Sequence, residues 1–287
     1  MKLMVLDGNS VINRAYYGVR ALTTKDGFFT NAIYGFLNIL EKLRAEEQPD
    51  ALCVAFDLKA PTFRHLQYDG YKATRHPMPD ELAMQMPVMK DVLRAMQIPI
   101  FECEGWEADD VIGTIGKRCS HAGWNCVIVT GDRDSLQLID EHVTVKLVSS
   151  KLSQTVAVNY DPAKFREEYG FDPIHLIDLK ALMGDSSDNI PGVAGVGPKT
   201  ATQLLLDYGT LDGVYAHLDA IKEKLRAKLE QGKDSAYLSY DLATIRCEAP
   251  IAFSPEACLV QPYDEAALYR LFTRLEFTRL ISRYGLH

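Results

Sequence analysis

Short apolar segments alternate with longer amphipathic ones through the first half of the chain, and this alternation constrains the fold more than any other feature. Five segments rich in β-branched and aliphatic residues lie at 2–7, 51–57, 99–103, 125–132 and 143–148. Between them, apolar residues recur with helical spacing at 31–46, 80–96 and 107–120. Strands that alternate with helices predict an α/β fold, with a mostly parallel sheet covered by helices on both faces.

The second half of the chain has a different pattern. From about Asp161 onward strand patterns stop, and amphipathic helices continue to the C-terminus. No Ser/Gly-rich linker separates the two halves. We therefore predict an α/β core over 1–160 and a helical part over 161–287, packed together as one compact unit.

Composition excludes several classes of protein. The sequence is 47% hydrophobic and 24% charged, as in ordinary globular proteins. It has no apolar run as long as a membrane span, and its first residues reach Asp7 too early for a signal peptide, so we expect a cytoplasmic protein without a membrane partner. The six Cys residues form no CxxC pair and the seven His residues have no metal-ligand spacing, which predicts reduced core thiols and no zinc site.

Acidic residues recur where the predicted strands end or where the following helices begin. The nine candidates are Asp7, Asp57, Glu107, Asp109, Asp110, Asp132, Asp134, Asp185 and Asp188. Taken singly, each is explained as a turn former or a helix cap. The pair Asp185 and Asp188, three residues apart, is predicted to share one face of a helical turn.

Taken together, these acids indicate a metal site. The carboxyl ends of parallel strands lie at one edge of the sheet, where ligands bind. Like charges gathered there would raise one another's pKa unless cations were bound among them. Carboxylate oxygens select a hard ion such as Mg²⁺ or Mn²⁺, and this many carboxylates can hold two ions, an arrangement suited to hydrolysis of a phosphodiester.

A cationic stretch at 59–76 follows the predicted strand-end acid Asp57. It interleaves basic and aromatic residues, namely Lys59, Arg64, Lys72 and Arg75 with Phe63, Tyr68 and Tyr71. Such a mixture suits single-stranded nucleic acid, although it also occurs on solvated surfaces. Lys72 and Arg75, predicted one helical turn apart, could reach a phosphate held by the metals; Arg14 is a further candidate that could instead pair with the acids. The net charge of −8 does not exclude a polyanionic partner if cations occupy the acidic site.

The segment MGDSSDNIPGVAGVGPKTA, at 183–201, is rich in glycine but is not a nucleotide-binding loop. A phosphate loop requires Lys where Pro198 stands, and a dinucleotide fingerprint requires Gly where Thr200 stands. A glycine turn between two helices fits better, with Pro198 in the first turn of the second helix and its free N–H groups directed at an anion. The backbone of a nucleic acid is the anion that we expect.

Five motifs, in this order, resemble the 5′-nuclease family, which includes the N-terminal 5′→3′ exonuclease domain of bacterial DNA polymerase I and the flap endonucleases. They are LDGNSVINRAYY, TFRHLQYDGYKATRHPMPDEL, GWEADDVIGT, TGDRDSLQL and GDSSDNIPGVAGVGPKTA. The resemblance covers nearly the whole chain. It implies a PIN-like or Rossmann-like sheet, a helical arch at about 58–82, and a helix-turn-helix element of the H3TH type in the helical part.

The resemblance also implies roles for individual residues. Metal ligands of the first ion would be Asp7, Asp57, Glu107, Asp109 and Asp110, with Asp132 and Asp134 near both ions and Asp185 and Asp188 at the second. Arg14, Lys72 and Arg75 would contact the scissile phosphate. DNA-binding residues would be Tyr71, which stacks on a base, Arg64, and Gly192, Gly195, Gly197, Lys199 and Thr200 of the helix-turn-helix element, where a K⁺ ion is implied.

The implied function is a structure-specific 5′→3′ exonuclease or flap endonuclease. It would hydrolyse DNA at single-strand/duplex junctions with two Mg²⁺ or Mn²⁺ ions, leave 5′-phosphates, and act in primer removal and repair. The implied setting is a monomer associated with the bacterial nucleoid, with RNA primers among its candidate substrates. The chain would be either a free-standing paralogue or a domain of a longer parent protein that carries a polymerase domain. Two alternatives stay open: a non-catalytic junction-binding module, disfavoured by the complete set of nine acids, and a PIN-type ribonuclease, disfavoured by the predicted arch and glycine turn.

Overall fold

A computed structural model describes residues 1–151 and 154–287, and it contains one sheet of six strands. The strands are β1 (Lys2–Asp7), β2 (Ala51–Ala55), β3 (Ile100–Phe101), β4 (Asn125–Thr130), β5 (Val143–Lys151) and β6 (Gln154–Tyr160). Their order across the sheet is β3-β2-β1-β4-β5-β6. All neighbouring pairs are parallel except β5 and β6, which are antiparallel.

The central strand β1 is apolar throughout because both of its faces are covered. Its residues Leu3 and Val5 face one core, and Met4 and Leu6 face the other; all four are fully buried. A parallel strand covered on both faces is expected to show such a continuous apolar run. The predicted α/β class, with a mostly parallel sheet between two helical layers, is therefore confirmed.

Helices surround the sheet and make up most of the second half. In the first half they are α1 (Gly8–Gly18), α2 (Asn31–Glu47), α3 (Phe63–Gln67), α4 (Asp80–Ala83), α5 (Gln85–Ala95) and α6 (Ala108–His121). In the second half they are α7 (Pro162–Tyr169), α8 (Leu176–Met183), α9 (Pro198–Tyr208), α10 (Leu211–Ala216), α11 (Glu223–Gln231), α12 (Lys233–Ala243), α13 (Glu265–Arg274) and α14 (Thr278–Arg283). Short 3₁₀ helices lie at Arg133–Leu138, Pro173–His175, Leu218–Ala220 and Pro255–Cys258.

The helical part contributes to both cores. Side chains of α8 and α9 join the core on the Leu3 face, together with α6. Side chains of α13 and α14 join the opposite core, together with α2 and α5. The C-terminal helices thus return to pack on the sheet-based half.

Several elements differ from the predictions. The predicted helix at 80–96 is divided into α4 and α5, and Pro87, which lacks an N–H and crowds the carbonyl of residue 83, accounts for the break. In the predicted arch at 58–82, helix is confined to α3 and α4, and turns occupy 69–74. Helix α1 and strand β6 were not predicted. Within the described residues, none of the helices is both long and apolar enough to cross a bilayer.

Candidate metal and nucleic-acid site

A polar pocket of about 340 Å³ lies at the carboxyl-terminal edge of the sheet. We call it the acidic pocket. Its charged lining residues are Asp7, Asp57, Glu107, Asp109, Asp132, Lys72, Arg75 and Arg133. The structure therefore brings together five of the nine predicted acids with two of the three predicted catalytic cations. Asp7 and Asp132, 125 positions apart in the sequence, converge because β1 and β4 end at the same edge, and β2 brings Asp57 to it.

Backbone N–H groups hold these carboxylates in place. Asp7 caps α1 by accepting from Ser10 N (3.1 Å), and it also accepts from Thr130 Oγ1 (2.8 Å). Asp57 accepts from Ala108 N at 2.7 Å, which joins the end of β2 to the start of α6. One acid can thus accept a hydrogen bond from a helix N-terminus and also serve as a metal ligand, because the capping bond fixes the orientation of the whole carboxylate.

Crowding and burial make the charged state of the pocket unfavourable. Burial, together with the charges of Asp57 and Asp132, raises the pKa of Asp7 to about 7. Burial also raises the pKa of Asp57, Asp109 and Asp132, and nearby acids add to the effect. A carboxylate cluster with raised pKa values is the donor set that a hard divalent cation stabilises.

A second acidic cluster adjoins the pocket. Carboxylate oxygens of Asp134, Asp185 and Asp188 all lie within 4.8 Å of one another, and we call these residues the acidic trio. The predicted helical turn at Asp185 and Asp188 is wrong: α8 ends at Met183, and the loop is closed by reciprocal backbone hydrogen bonds between Asp185 and Ile190 (2.9 and 2.8 Å). The loop still places both acids together, because it folds back sharply on itself.

Lys180 neutralises part of the acidic trio, and sequence reasoning did not identify it. Its Nζ lies 2.8 Å from Asp134 Oδ1 and 2.6 Å from Asp185 Oδ2. Burial favours the neutral form of Asp185, but hydrogen bonds from Lys180 and Ser187 outweigh it and lower its pKa. Burial and the charge of Asp132 raise the pKa of Asp134 to about 6. The only sequence signal for Lys180 is its position on α8 shortly before Asp185.

Two predicted site residues, Arg64 and Asp110, instead form a buried ion pair. Asp110 is 0% exposed and Arg64 is 2% exposed. The guanidinium contacts both oxygens of Asp110 at 2.8 Å and also hydrogen-bonds Glu107. In this conformation all donors of Arg64 are satisfied inside the protein, which leaves none for the DNA contact that was predicted. Asp110 is likewise not a ligand of the acidic pocket, because its oxygens are taken by Arg64 and by backbone N–H groups of Glu107 and Arg246.

The predicted catalytic cations lie at or beside the acidic pocket. Lys72 pairs with Glu107, and Arg75 pairs with Asp188. The two are not one helical turn apart, because Lys72 has a left-handed backbone (φ +55°) within a run of turns. Its N–H donates to Asp188 O at 2.9 Å, which attaches the 69–74 turns to the loop of the acidic trio. Arg14 lies against Gly131 at the pocket wall and donates to Ser150 Oγ (3.3 Å).

Tyr71 does not present its ring to solvent. It is 4% exposed, its hydroxyl donates to Glu107 Oε2 at 2.9 Å, and its ring packs edge-on against His65. Base stacking on this ring would require the surrounding turns to move. The prediction of a stacking role is therefore not supported by this conformation, in which Tyr71 orients Glu107 instead.

The glycine turn at 192–197 joins α8 to α9, as predicted. Gly195, Gly197 and Lys199 are exposed at the N-terminus of α9, and Thr200 is partly exposed. Gly192 is buried, and a Cβ placed there would meet Gly184 N at 2.2 Å, so in this structure it provides close backbone packing and offers no exposed surface for the predicted DNA contact.

Small polar residues of α1 were also missed. Asn9, Ser10 and Asn13 line the acidic pocket. Asn9 Oδ1 accepts from Asp57 N (2.8 Å), and Ser10 Oγ accepts from Gly131 N (2.8 Å), so both fix the loops that carry the acids. The sequence did contain a signal for Asn9 and Ser10, because both are small polar residues that closely follow the strand-end acid Asp7 in the segment DGNS.

Comparison with known proteins assigns the chain to a family. Residues 2–170 match the model of the 5′-3′ exonuclease N-terminal resolvase-like domain, and residues 171–266 match that of the 5′-3′ exonuclease C-terminal SAM fold. The chain belongs to the 5′-3′ exonuclease family. Members are nucleases, that is, phosphodiester hydrolases, and the resemblance predicted from the motifs is confirmed.

Relatives of this chain are longer proteins. The chain is 46% identical to DNA polymerase I of Caldicellulosiruptor bescii over 100% of its own length, and 40% identical to DNA polymerase I of Bacillus subtilis over 99%. These alignments cover 34% and 32% of the two relatives. The chain thus spans about a third of the length of the curated relatives that it matches.

Solved structures share the fold of this chain. A crystal structure of T5 D15 protein co-crystallized with metal ions has a TM-score of 0.70 at 20% identity and covers 99% of each chain. The catalytic core of Rad2 in complex with DNA substrate has a TM-score of 0.64 at 18% identity, and covers 96% of this chain and 87% of that chain. The α/β core with a helical C-terminal part is therefore an architecture that this chain shares with both structures.

Proposed function

We propose that the protein is a structure-specific 5′ nuclease that hydrolyses DNA at junctions between single strand and duplex and leaves 5′-phosphates. The observation that carries this proposal is the acidic pocket itself, where five carboxylates with mostly raised pKa values share one cavity with Lys72 and Arg75. Both relatives named above are DNA polymerase I, and the solved Rad2 core is in complex with DNA substrate, which supports DNA as the substrate.

The oxygen-rich donor set fits Mg²⁺ or Mn²⁺. Asp7, Asp57, Asp109 and Asp132 would hold one ion in the acidic pocket, and the acidic trio would hold a second. When bound, such ions lower the pKa of an attacking water and stabilise charge on the leaving oxygen. T5 5′-exonuclease has been solved with divalent zinc, so a related fold accommodates divalent ions.

The chain's own cations would position the phosphate. Lys72 and Arg75 place positive charge at the mouth of the acidic pocket, where they can bind the non-bridging oxygens of the scissile phosphate. Arg14, beside Gly131, would extend this positive rim along the pocket wall. These three residues orient the substrate and stabilise negative charge that develops during cleavage.

The N-terminus of α9 would bind the duplex. Gly197 and Lys199 are exposed there, and the free N–H groups of the first helical turn favour a phosphate. The K⁺ ion implied at this turn fits less well, because Gly192 O already accepts from Ser235 Oγ (2.6 Å) and Gly195 O from Lys228 Nζ (3.2 Å). We therefore assign the positive charge at this turn to Lys228 and leave K⁺ out of the proposal.

The biological setting belongs to the same proposal. Removal of primers, including RNA primers, and DNA repair are the processes that supply substrates with a 5′ single strand beside a duplex. The protein would act as a monomer at the bacterial nucleoid, beside a polymerase domain of a longer parent chain. The length of the curated relatives supports the last point.

Cleavage assays on defined junctions test the proposal. Purified protein is incubated with labelled flap, nicked and single-stranded DNA, and with a matched RNA strand, in Mg²⁺ or in chelator. We expect Mg²⁺-dependent cleavage of the flap to a 5′-phosphorylated product. Asp185→Asn combined with Asp188→Asn should retain junction binding in Ca²⁺ but slow cleavage by about 100-fold or more.

Asp91→Asn is the matched control, because Asp91 is an exposed acid on α5 outside the pocket. It should cleave at the wild-type rate. Binding of junctions without cleavage in any divalent ion would favour the non-catalytic module. Preferential cleavage of RNA without regard to a junction would favour the PIN-type ribonuclease.

A further inference from the structure

Arg64 connects three parts of the molecule through a single buried side chain. Besides the ion pair with Glu107 and Asp110, its Nε donates to Leu242 O (2.9 Å) and its Nη2 donates to Thr244 O (2.6 Å). Both carbonyls belong to the C-terminal end of α12. Arg64 therefore joins the 58–82 segment, the start of α6 and the end of α12.

The middle of α12 is attached to the glycine turn. Gly192 N donates to Ser239 Oγ at 2.8 Å, and Ser235 Oγ donates to Gly192 O at 2.6 Å. Ser239 is fully buried, and its hydroxyl donates in turn to Ser235 O (2.7 Å). One short helix thus touches the proposed duplex-binding turn along its side and, at its end, Arg64, which hydrogen-bonds the pocket residue Glu107.

A second set of bonds fixes the end of α12 to the acidic edge. Gln137, in the 3₁₀ helix that also contains Asp134, donates to Ala243 O and accepts from Ile245 N, each at 2.9 Å. Arg246 N donates to Asp110 Oδ1 at 2.9 Å. The end of α12 is held on both sides, so a displacement of the helix would also move Gln137 and Arg64, and through Arg64 the pocket residue Glu107.

We propose that α12 couples duplex binding at the glycine turn to the geometry of the acidic pocket, with Arg64 as the positioning residue that transmits the coupling to Glu107. Close-packed elements move as units, so a shift of the turn moves Ser239, α12 and the two carbonyls that hold Arg64. Glu107, which also contacts Lys72 and Tyr71, follows. The inference rests on the proposed function, because it requires a duplex at the glycine turn.

Single-turnover cleavage of a flap substrate at saturating enzyme separates rate from affinity. Ser239→Ala removes the hydroxyl that holds Gly192 and should lower the maximal rate about tenfold, beyond any change in Kd, as expected for a coupling energy of ordinary size. Arg64→Lys, which cannot make the same five contacts, should lower the maximal rate on its own. In the double variant the effect of Ser239→Ala should disappear, because the connection is already broken.

Asp234→Ala is the control on the same helix, since Asp234 is exposed, and it should cleave at the wild-type maximal rate. Thermal unfolding of every variant tests for a general loss of structure. If Arg64→Lys does not fold, Gln137→Met takes its place in the comparison of the single and double variants. A change in Kd alone for Ser239→Ala, or full additivity in the double variant, would overturn the coupling. Failure of the wild-type protein to cleave any junction would instead overturn the proposed function.

Discussion

The metal-free protein should lose stability as pH rises, and the acidic pocket sets the size of the loss. Burial is the main reason that the pKa of Asp7 is raised from 3.8 to about 7. One pKa unit corresponds to about 1.4 kcal/mol, so ionisation of Asp7 alone costs the folded state about 4 kcal/mol. Asp109 and Asp132 interact with neighbouring acids of the same cluster. Their raised pKa values therefore describe the cluster as a whole, and we do not add them to the cost of ionising Asp7.

The direction of this pH effect on stability follows from proton binding. Between pH 4 and pH 7 the folded chain keeps a proton on Asp7 that the unfolded chain has already released. Stability therefore falls with rising pH across this window, by up to about 1.4 kcal/mol per pH unit for each retained proton, and levels off above it. Divalent ions bind the charged carboxylates of the folded chain, so the stability gained from Mg²⁺ should grow with pH.

Urea unfolding followed by circular dichroism at pH 5, 6, 7 and 8, in chelator and in Mg²⁺, measures both effects. Asp7→Asn supplies the comparison, because it removes the titrating group, keeps one acceptor oxygen for Ser10 N, and places an amide NH2 that can donate to Thr130 Oγ1. This variant should be more stable than wild type in chelator at pH 8 and should depend less on pH. If wild type and variant show the same pH dependence in chelator, or if wild-type stability is constant from pH 5 to 8, the reasoning about the pocket is refuted.

Four further substitutions probe individual residues. Lys72→Ala should lower the maximal cleavage rate about 100-fold or more with little change in Kd, as for removal of a group that stabilises developing charge; a pure loss of affinity in binding assays would contradict this role. Lys180→Met should tighten Mn²⁺ binding measured by calorimetry, yet destabilise the metal-free protein by about 3 kcal/mol, because the acidic trio loses its internal cation. Gly197→Leu should leave thermal stability unchanged, since open space surrounds that position, but should weaken duplex binding. Gly192→Ala should lower the free energy of unfolding by about 2 kcal/mol or more, because Gly192 has φ +62° and the new Cβ would lie 2.2 Å from Gly184 N.

The sheet and its acidic edge were predictable from the sequence for a physical reason. Strands β1, β2 and β4 are covered on both faces, so each is a continuous apolar run that ends abruptly at a polar residue. Parallel pairing then brings the ends of these strands to one edge, which places Asp7, Asp57 and Asp132 together without any further information. Local pattern and topology together were sufficient for this part of the site.

The roles of Arg64, Asp110 and Tyr71 could not be predicted in the same way. A sequence pattern does not distinguish an exposed arginine from one that is buried against a carboxylate 46 residues away. Arg64 and Tyr71 lie in a stretch with the composition of an exposed nucleic-acid-binding surface. The structure shows instead that both side chains are buried, Arg64 against α12 and Tyr71 against Glu107 at the start of α6. Lys180 escaped notice for a related reason, since one partner, Asp185, reaches it through the loop after α8 and the other, Asp134, lies in a 3₁₀ helix 46 residues earlier in the chain.

The positions of the cations explain how an acidic chain can act on a polyanion. In the structure Lys72 is paired with Glu107, Arg75 with Asp188, and Lys180 with the acidic trio, so the chain neutralises its own site. Divalent ions that take over the carboxylates would weaken these pairs and leave Lys72 and Arg75 free to face a phosphate. The same cations would then stabilise the metal-free fold first and bind the substrate phosphate afterwards. The net charge of −8 opposes neither role, because the phosphate experiences mainly the local electric field of the pocket.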